Sequence, residues 1–163
     1  MSAPDATPFR TEIRVRFAEV DDARVVYYPR YLDYCHRAFE DFMEAGFGTP
    51  YAEIFQGAGV GYPAVNVQVD YHAPARFGDR LDVEVTCARI GDRSLTLRYR
   101  MLRQRDGALC CDARVTIASI DMATFSAIRV PDAHRAFFAR HLGAPRPDGT
   151  RNGGAMPEGK ATS

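Results

Sequence analysis

Apolar and polar residues alternate in five separate stretches of the chain, and this period of two predicts five β-strands. Within each stretch, most of the residues between the apolar ones are polar, which is typical of an antiparallel sheet covered on one face. The five stretches are 12–17, 65–71, 81–87, 95–101 and 109–117. Gly and Asp turns precede each of the last three, so these strands are expected to form a meander.

A period of three and four residues predicts one long helix between Tyr28 and Ala45. Its apolar positions are Tyr31, Leu32, Cys35, Ala38, Phe39, Phe42 and Met43. Pro29 suits the first turn of this helix, and Gly46 suits its C-terminal end. Because more than half of the helix circumference is apolar or aromatic, we expect the sheet, with help from a partner subunit, to wrap around it.

Two shorter elements are predicted near the C-terminus. Phe125–Val130 has the pattern of a short strand, and Asp132–Leu142 that of a helix with Asp132 as its N-cap. The last 21 residues hold five glycines and three prolines but no Ile, Leu, Val, Phe or Tyr, so they cannot form a core. The sequence therefore predicts a flexible N-terminus at 1–8, one domain at 9–142 and a disordered tail at 143–163.

The charges balance, with 21 Lys and Arg against 21 Asp and Glu, which disfavours a surface that wraps nucleic acid. No stretch approaches the roughly 20 consecutive apolar residues that cross a membrane. No signal peptide is visible, so we expect a cytoplasmic protein. The cysteines lack a zinc-binding spacing, so we expect no metal and reduced, mostly buried thiols at Cys35, Cys87, Cys110 and Cys111.

The stretch from Arg16 to Leu32 reads RFAEVDDARVVYYPRYL. It resembles the signature segment of the 4-hydroxybenzoyl-CoA thioesterase family of hotdog acyl-CoA hydrolases, Phe-x-x-x-Asp-x-x-Gly-x-Val-aromatic-aromatic-Pro-x-Tyr. The positions that match are Phe17, Asp21, Tyr27, Tyr28 and Tyr31. The resemblance implies an α+β hotdog fold, in which a curled five-stranded antiparallel sheet wraps around one long central helix; the short C-terminal helix is added to it.

The same resemblance implies an acyl-CoA thioesterase, which hydrolyses a thioester to a carboxylic acid and free coenzyme A. Asp21 would be the nucleophile or the general base. The backbone N–H of Tyr28, at the positive end of the helix, would polarise the thioester carbonyl. Independently of the resemblance, the aromatic residues that are candidates to line an acyl pocket are Tyr27, Tyr28, Tyr31 and Phe55, and short, medium and aromatic acyl groups all stay open. No cofactor is expected, because coenzyme A is part of the substrate.

Two positions depart from the family pattern. Arg24 stands where the family has Gly, so a positive φ at this position would strain the backbone. Its guanidinium is a candidate to bind a carboxylate of the acyl group or a phosphate of coenzyme A. At the turn into the fourth strand, where the family has a basic cluster, Arg93 is the one cation that remains, and we expect it to contact phosphate.

Alternatives stay open at this point. Another hotdog lineage carries its catalytic Glu on the helix, where Glu40 and Glu44 are the candidates. A hotdog dehydratase or hydratase of acyl thioesters would require a histidine paired with an acidic residue in the cleft, and the signature segment contains no histidine. A non-catalytic acyl-CoA-binding module would normally carry a further domain. Hotdog sites resemble interfaces between two chains, so a homodimer or homotetramer is expected.

Overall fold

The protein, seen here in a computed structural model that describes residues 7–57 and 59–143, is built on a five-stranded antiparallel sheet. The strands are β1 (Phe9–Arg14), β2 (Val60–Gly61), β3 (Ala64–Tyr71), β4 (Arg80–Ile90), β5 (Ser94–Arg103), β6 (Leu109–Ala118) and β7 (Ile120–Asp121). The order in the sheet is β1-β4-β5-β6-β3, while β2 and β7 pair separately. The predicted five antiparallel strands and the predicted meander, β4 to β6, are confirmed.

Three helices complete the α+β fold: α1 (Arg30–Phe47), α2 (Tyr51–Gln56) and α3 (Asp132–Ala139). One face of α1 is buried through Tyr31, Tyr34, Cys35, Ala38, Phe39, Phe42 and Met43. These side chains share one hydrophobic core with the inward residues of the strands, which are Ile13, Leu81, Val83, Val85, Leu95, Leu97, Tyr99, Met101, Cys111, Ala113 and Ile117 among others. The apolar period of three and four in the sequence is thus the face that packs on the sheet.

Helix α1 continues one residue beyond Gly46, so the predicted stop at that glycine is wrong. The helix ends instead at Gly48, which has the left-handed φ of 66° and whose N–H donates to the Glu44 carbonyl oxygen at 2.8 Å. Gly46 has another role, since a Cβ built on it would lie 2.1 Å from the ring of Phe137 on α3. The glycine lets the two helices approach closely.

The first predicted strand is displaced towards the N-terminus. β1 spans Phe9–Arg14, and Phe17–Glu19 forms a short 3-10 helix instead of continuing the strand. Phe17 consequently points away from the core and is 77% exposed, with its ring against that of Phe77. The alternation of the sequence extended past the point where the chain leaves the sheet.

The short strand predicted at Phe125–Val130 is not formed. Phe125 has φ 58°, which no strand residue adopts, and the short strand near this end of the chain is β7. Helix α3 is present but begins after Pro131 as N-cap and ends at Ala139, three residues before the predicted end. The predicted segments at 1–8 and 143–163 lie almost wholly outside the described residues and stay predictions.

Strand β3 is the one strand of the large sheet whose apolar side chains are largely uncovered. It lies at the sheet edge, hydrogen-bonded to β6 alone. Val65 is 61% exposed, Val67 43% and Tyr71 48%. The alternation of this strand predicted a covered face, but the buried face of α1 lies against the other strands, so β3 presents apolar side chains to its surroundings.

Across the described ranges, no helix combines the length and the hydropathy that a membrane crossing requires.

Because the Cβ of any larger residue at position 46 would collide with the Phe137 ring, Gly46→Ala is expected to destabilise the protein by about 1–3 kcal/mol. The matched control is Gly57→Ala at the end of α2, where the nearest atom to an added Cβ is a carbonyl oxygen at 3.9 Å. Urea unfolding of both variants gives the comparison. Equal unfolding free energies for the two would contradict the close contact between α1 and α3.

Candidate active site

Residues 19–27 form a short hairpin immediately before α1. Val20 and Val26 face each other in an isolated antiparallel bridge. At the base of the hairpin, the Tyr27 N–H donates to the Glu19 carbonyl oxygen at 2.9 Å. The signature segment is therefore not an open loop, and its backbone hydrogen bonds give it a defined shape.

Asp21 lies near the tip of the 19–27 hairpin. Its N–H donates to the Val25 carbonyl oxygen at 3.0 Å, and one of its carboxylate oxygens accepts the Ala23 N–H at 2.9 Å. The Asp21 residue is exposed. A carboxylate that is oriented by one local hydrogen bond and still open to solvent can meet a substrate, as the predicted nucleophile or general base must.

Arg24 adopts the left-handed conformation, with φ 61°. Its N–H donates to the Asp21 carbonyl oxygen at 2.8 Å, which closes the turn. The expected strain is thus present, since a side chain with a Cβ costs roughly 1–2 kcal/mol in this region. The Arg24 side chain is exposed and forms no ion pair with any carboxylate of residues 7–57 and 59–143.

Tyr28 follows the base of the hairpin and precedes α1. The N–H groups of residues 30–32 donate to the carbonyl oxygens of residues 27–29, and Pro29 has no N–H. The N–H of Tyr28 donates to no acceptor within the described part of the chain. Free amides at the start of a helix, where the dipole is positive, favour a developing negative charge.

Four tyrosines make contacts with one another near the start of α1. The rings of Tyr27 and Tyr28 are 5.2 Å apart, and the Tyr71 hydroxyl at the end of β3 donates to the Tyr28 carbonyl oxygen at 3.1 Å. The rings of Tyr31 and Tyr71 lie 5.4 Å apart. Tyr31 itself is buried, and burial raises the pKa of its hydroxyl to about 12. Of the predicted pocket residues, Tyr27 and Tyr28 are thus at the surface and Tyr31 is in the core. Phe55 lies on α2, where its ring packs against those of Tyr51 and Tyr62.

Arg93 does not lie near the Tyr28 amide in this chain. The Val26 N–H of the hairpin donates to the Ala75 carbonyl oxygen, shortly before β4 begins, whereas Arg93 follows the far end of that strand. Eleven residues of strand at about 3.3 Å each separate the two ends by roughly 35 Å. Arg93 is exposed at the turn into β5, with its guanidinium 3.6 Å from Asp92. Within one chain, Arg93 and the free amide of Tyr28 belong to opposite ends of the sheet.

The two helix carboxylates have local partners. Glu40 lies 3.0 Å from the His36 ring, and Glu44 accepts the Tyr51 N–H at 2.8 Å, at the start of α2. A polar groove of about 260 Å³ runs between β1 and α1, and its lining includes Glu40 but none of the predicted site residues. These contacts agree with a polar helix face rather than with a second catalytic carboxylate.

Sequence reasoning missed two residues beside the 19–27 hairpin. One is Tyr71, whose hydroxyl reaches the Tyr28 carbonyl oxygen, and the other is Glu19, whose carboxylate is buried. No local pattern points to either contact, because the partners lie 43 residues away for Tyr71 and 15 and 18 residues away for Glu19. The buried Glu19 carboxylate and its contacts with α1 can therefore be identified only in the folded chain.

Comparison with known proteins connects this geometry to a family. The profile of the Thioesterase-like superfamily matches residues 15–138, which include the hairpin, α1 and strands β3 to β6 of the large sheet, but not β1. A 1,4-dihydroxy-2-naphthoyl-CoA hydrolase from Synechococcus elongatus is 34% identical over 88 residues, which are 53% of this chain and 64% of that protein. The chain therefore matches less than two thirds of this relative's length.

Solved structures share the fold. A 1,4-dihydroxy-2-naphthoyl-CoA thioesterase from Synechocystis superposes with a TM-score of 0.73 at 24% identity, covering 80% of this chain and 95% of its own. A thioesterase superfamily protein from Jannaschia gives a TM-score of 0.79 at 21% identity, covering 88% of this chain and 100% of its own. The predicted hotdog fold is confirmed by these neighbours. Since the family profile covers most of the chain, this protein belongs to the Thioesterase-like superfamily.

Proposed function

We propose that this protein is an acyl-CoA thioesterase, which hydrolyses an acyl-CoA thioester to the free carboxylic acid and coenzyme A. The observation that carries the proposal is the free N–H of Tyr28 at the start of α1, next to a hairpin that presents an exposed Asp21 carboxylate. Membership of the superfamily and the name of the Synechococcus elongatus relative support the same reaction. A histidine, which a dehydratase would require, is absent from residues 16–32.

The proposed chemistry uses both groups on one thioester. The Tyr28 N–H donates to the carbonyl oxygen, where negative charge grows as the acyl carbon is attacked. Asp21 either attacks that carbon itself or removes a proton from a water molecule that does so. When water attacks, the carbon–sulfur bond breaks, and the proton that Asp21 took from the water leaves on the sulfur as the coenzyme A thiol. When Asp21 attacks, the same bond breaks to leave a mixed anhydride on Asp21, and a water molecule then hydrolyses this anhydride, regenerates the carboxylate and supplies the proton of the thiol. Either route adds one water across the thioester in total.

We propose an aromatic acyl group as the substrate class. The rings of Tyr27 and Tyr28 are exposed beside the free amide, and aromatic faces pack favourably against a flat aryl group. The acyl group in the name of the Synechococcus elongatus relative, 1,4-dihydroxy-2-naphthoyl, is aromatic. Tyr71, which contacts the buried Tyr31 ring, donates to the backbone carbonyl oxygen of Tyr28 and so fixes the backbone beside these exposed rings.

We propose Arg24 as a further substrate contact. Its guanidinium is exposed three residues from Asp21, and its backbone conformation costs free energy that a glycine would avoid. Strain of this kind persists where it serves a function. An arginine here would bind an anionic group, either on the acyl moiety or on coenzyme A.

We also propose a homodimer in which the β3 edges of two copies pair antiparallel, with a homotetramer as a pair of such dimers. The exposed Val65 and Val67 would be covered by the second copy, and the unpaired edge of β3 would find a partner. Antiparallel pairing reverses the second sheet, so the partner copy would bring its β4–β5 turn, which carries Arg93, to the end where Tyr28 lies. Arg93 would then contact phosphate across the dimer. In the same arrangement α1 would be the central helix about which each sheet curls.

Replacement of the Asp21 carboxylate tests the proposed nucleophile or general base. Asp21→Asn is expected to lower kcat by about 100-fold or more. The reason is that a general base contributes at least about that factor to the rate, and an amide can neither accept the proton nor attack the thioester. The measurement is release of free thiol from aromatic and aliphatic acyl-CoA substrates. Asp22→Asn is the matched control, since its carboxylate is also exposed in the same turn but has no assigned role.

Full activity of a folded Asp21→Asn protein together with loss in Glu40→Gln would overturn the assignment in favour of a helix carboxylate. Formation of an enoyl thioester would instead support a dehydratase. Tight acyl-CoA binding by the wild-type protein with no thiol release from any substrate would support a non-catalytic binding module.

Replacement of Arg24 tests the proposed contact with an anionic group of the substrate. Arg24→Gly relieves a backbone strain of about 1 kcal/mol, so Tm is expected to rise by about 2–4 °C. Loss of the cation is expected to raise KM for acyl-CoA, while Arg24→Lys retains most of the affinity. Ala23→Gly is the control for flexibility, because it loosens the same turn with no strain to relieve. An unchanged KM in Arg24→Gly would remove this residue from the substrate site.

Charges placed on the edge strand β3 test the proposed homodimer. The wild-type chain of 18.1 kDa is expected to elute as a dimer or tetramer, whereas Val65→Lys/Val67→Lys is expected to be monomeric, because four ammonium groups would be buried at one dimer interface. Light scattering after size-exclusion chromatography measures the mass. Gln68→Lys places a charge on the opposite face of β3 and serves as the control. A monomeric wild type, or an intact oligomer in the double variant, would refute pairing at this edge.

A further inference from the structure

Glu19 is the only acidic residue of the described ranges, 7–57 and 59–143, that is buried, with 5% of its surface exposed. Both of its carboxylate oxygens are occupied. Oε2 accepts the Arg16 N–H and the Tyr34 hydroxyl, each at 2.8 Å. Oε1 accepts a guanidinium N–H of Arg37 at 2.9 Å. A carboxylate with three donors and almost no solvent contact is held in one orientation.

Two of these donors come from α1. Tyr34 and Arg37 are three residues apart and so lie on the same side of the helix, about one turn from each other. Tyr34 is fully buried, while Arg37 is partly exposed. Burial alone would raise the pKa of Glu19, but the hydrogen bonds from Arg16, Tyr34 and Arg37 outweigh it and hold that pKa below its ordinary value. The ionised carboxylate is thus the form that binds α1.

The backbone of the same residue closes the base of the 19–27 hairpin. The Glu19 carbonyl oxygen accepts the Tyr27 N–H at 2.9 Å, and the bridge between Val20 and Val26 follows directly. Asp21 is two residues beyond Glu19 on one side of the hairpin, and the Tyr28 amide is one residue beyond Tyr27 on the other. A single residue therefore joins α1 to both arms of the hairpin.

We infer that Glu19 is a positioning residue for the thioesterase reaction: its carboxylate holds the 19–27 hairpin on Tyr34 and Arg37, and so sets where Asp21 and the Tyr28 amide stand relative to α1. This inference rests on the proposed function. Glu19 itself does not touch the substrate, since it is buried and both oxygens are occupied. Glu19 acts through Asp21 and the Tyr28 amide, which contact the substrate in the proposed reaction.

The test is Glu19→Gln, which keeps the size of the side chain but removes the charge that Arg37 pairs with. Misplacement of a reacting group by about 1 Å costs up to ~100-fold, so kcat per folded molecule is expected to fall about 10- to 100-fold. KM is expected to change by less than about threefold, because coenzyme A and the acyl group keep their contacts. Thiol release and circular dichroism give the rate and the folded fraction.

Glu84→Gln is the matched control for a merely structural effect. Glu84 is partly buried, with 13% side-chain exposure, and its two oxygens bind Arg10 and Arg100 on the sheet. This variant is expected to lower the unfolding free energy and leave kcat per folded molecule unchanged. If both variants lower kcat equally, or if Glu19→Gln leaves it at the wild-type value, Glu19 is not a positioning residue.

A double-mutant cycle with Asp21→Asn distinguishes this inference from the proposed function. If Glu19 acts largely through Asp21, Glu19→Gln is expected to cost much less in the Asp21→Asn background than in the wild type. Losses that multiply fully would overturn the part of the inference in which Glu19 positions Asp21, and would leave the thioesterase standing. Full activity of Asp21→Asn alone would overturn the catalytic assignment instead.

Tyr34→Phe provides a milder second variant if Glu19→Gln fails to fold. It deletes one of the three donors to the Glu19 carboxylate without changing any charge. A folded Tyr34→Phe protein is expected to show a smaller kcat loss in the same direction, about three- to tenfold, again with little change in KM. A wild-type kcat in this variant would contradict the proposal that the contacts of Glu19 with α1 position the catalytic groups.

Discussion

The burial of one face of α1 is the constraint on which the rest of this molecule depends. Seven side chains of the helix, among them Tyr34, Phe42 and Met43, are buried and need apolar surface on the opposing side. The inward residues of β1, β4, β5 and β6 supply it in one continuous core. Burial of this size drives folding by removing apolar area from water, and it determines how the helix lies on the sheet.

Two consequences of that packing reach the site. The N-terminal end of α1, with its free Tyr28 amide, comes to the end of the sheet where β3 stops, so that Tyr71 can donate to the Tyr28 carbonyl oxygen. The helix also leaves β3 uncovered, so Val65 and Val67 remain exposed at an unpaired edge. The same packing thus brings Tyr71 to the start of α1 and leaves an apolar edge on β3, which the proposed second copy would cover.

Much of this could be predicted from local patterns. Alternation identified the strands of the large sheet, because side chains on a strand point to opposite faces and only one face meets the core. At Arg24 the sequence raised a condition, that a positive φ at the family's glycine position would strain an arginine, and the structure shows that left-handed φ. Element ends were less accurate. Gly46 carried the signal of a helix stop, yet the glycine serves the contact with Phe137 and the helix ends at Gly48.

The sequence by itself determined the class of fold, the main elements and the segment to which we assign the proposed chemistry, because periodicity and short motifs depend on residues close together in the chain. The tertiary structure decided which distant groups meet. Only the folded chain places Glu19 on Tyr34 and Arg37, exposes one face of β3 and separates Arg93 from Tyr28 by the length of β4. Those outcomes depend on the sheet order and on how α1 packs, and no local pattern encodes either of them.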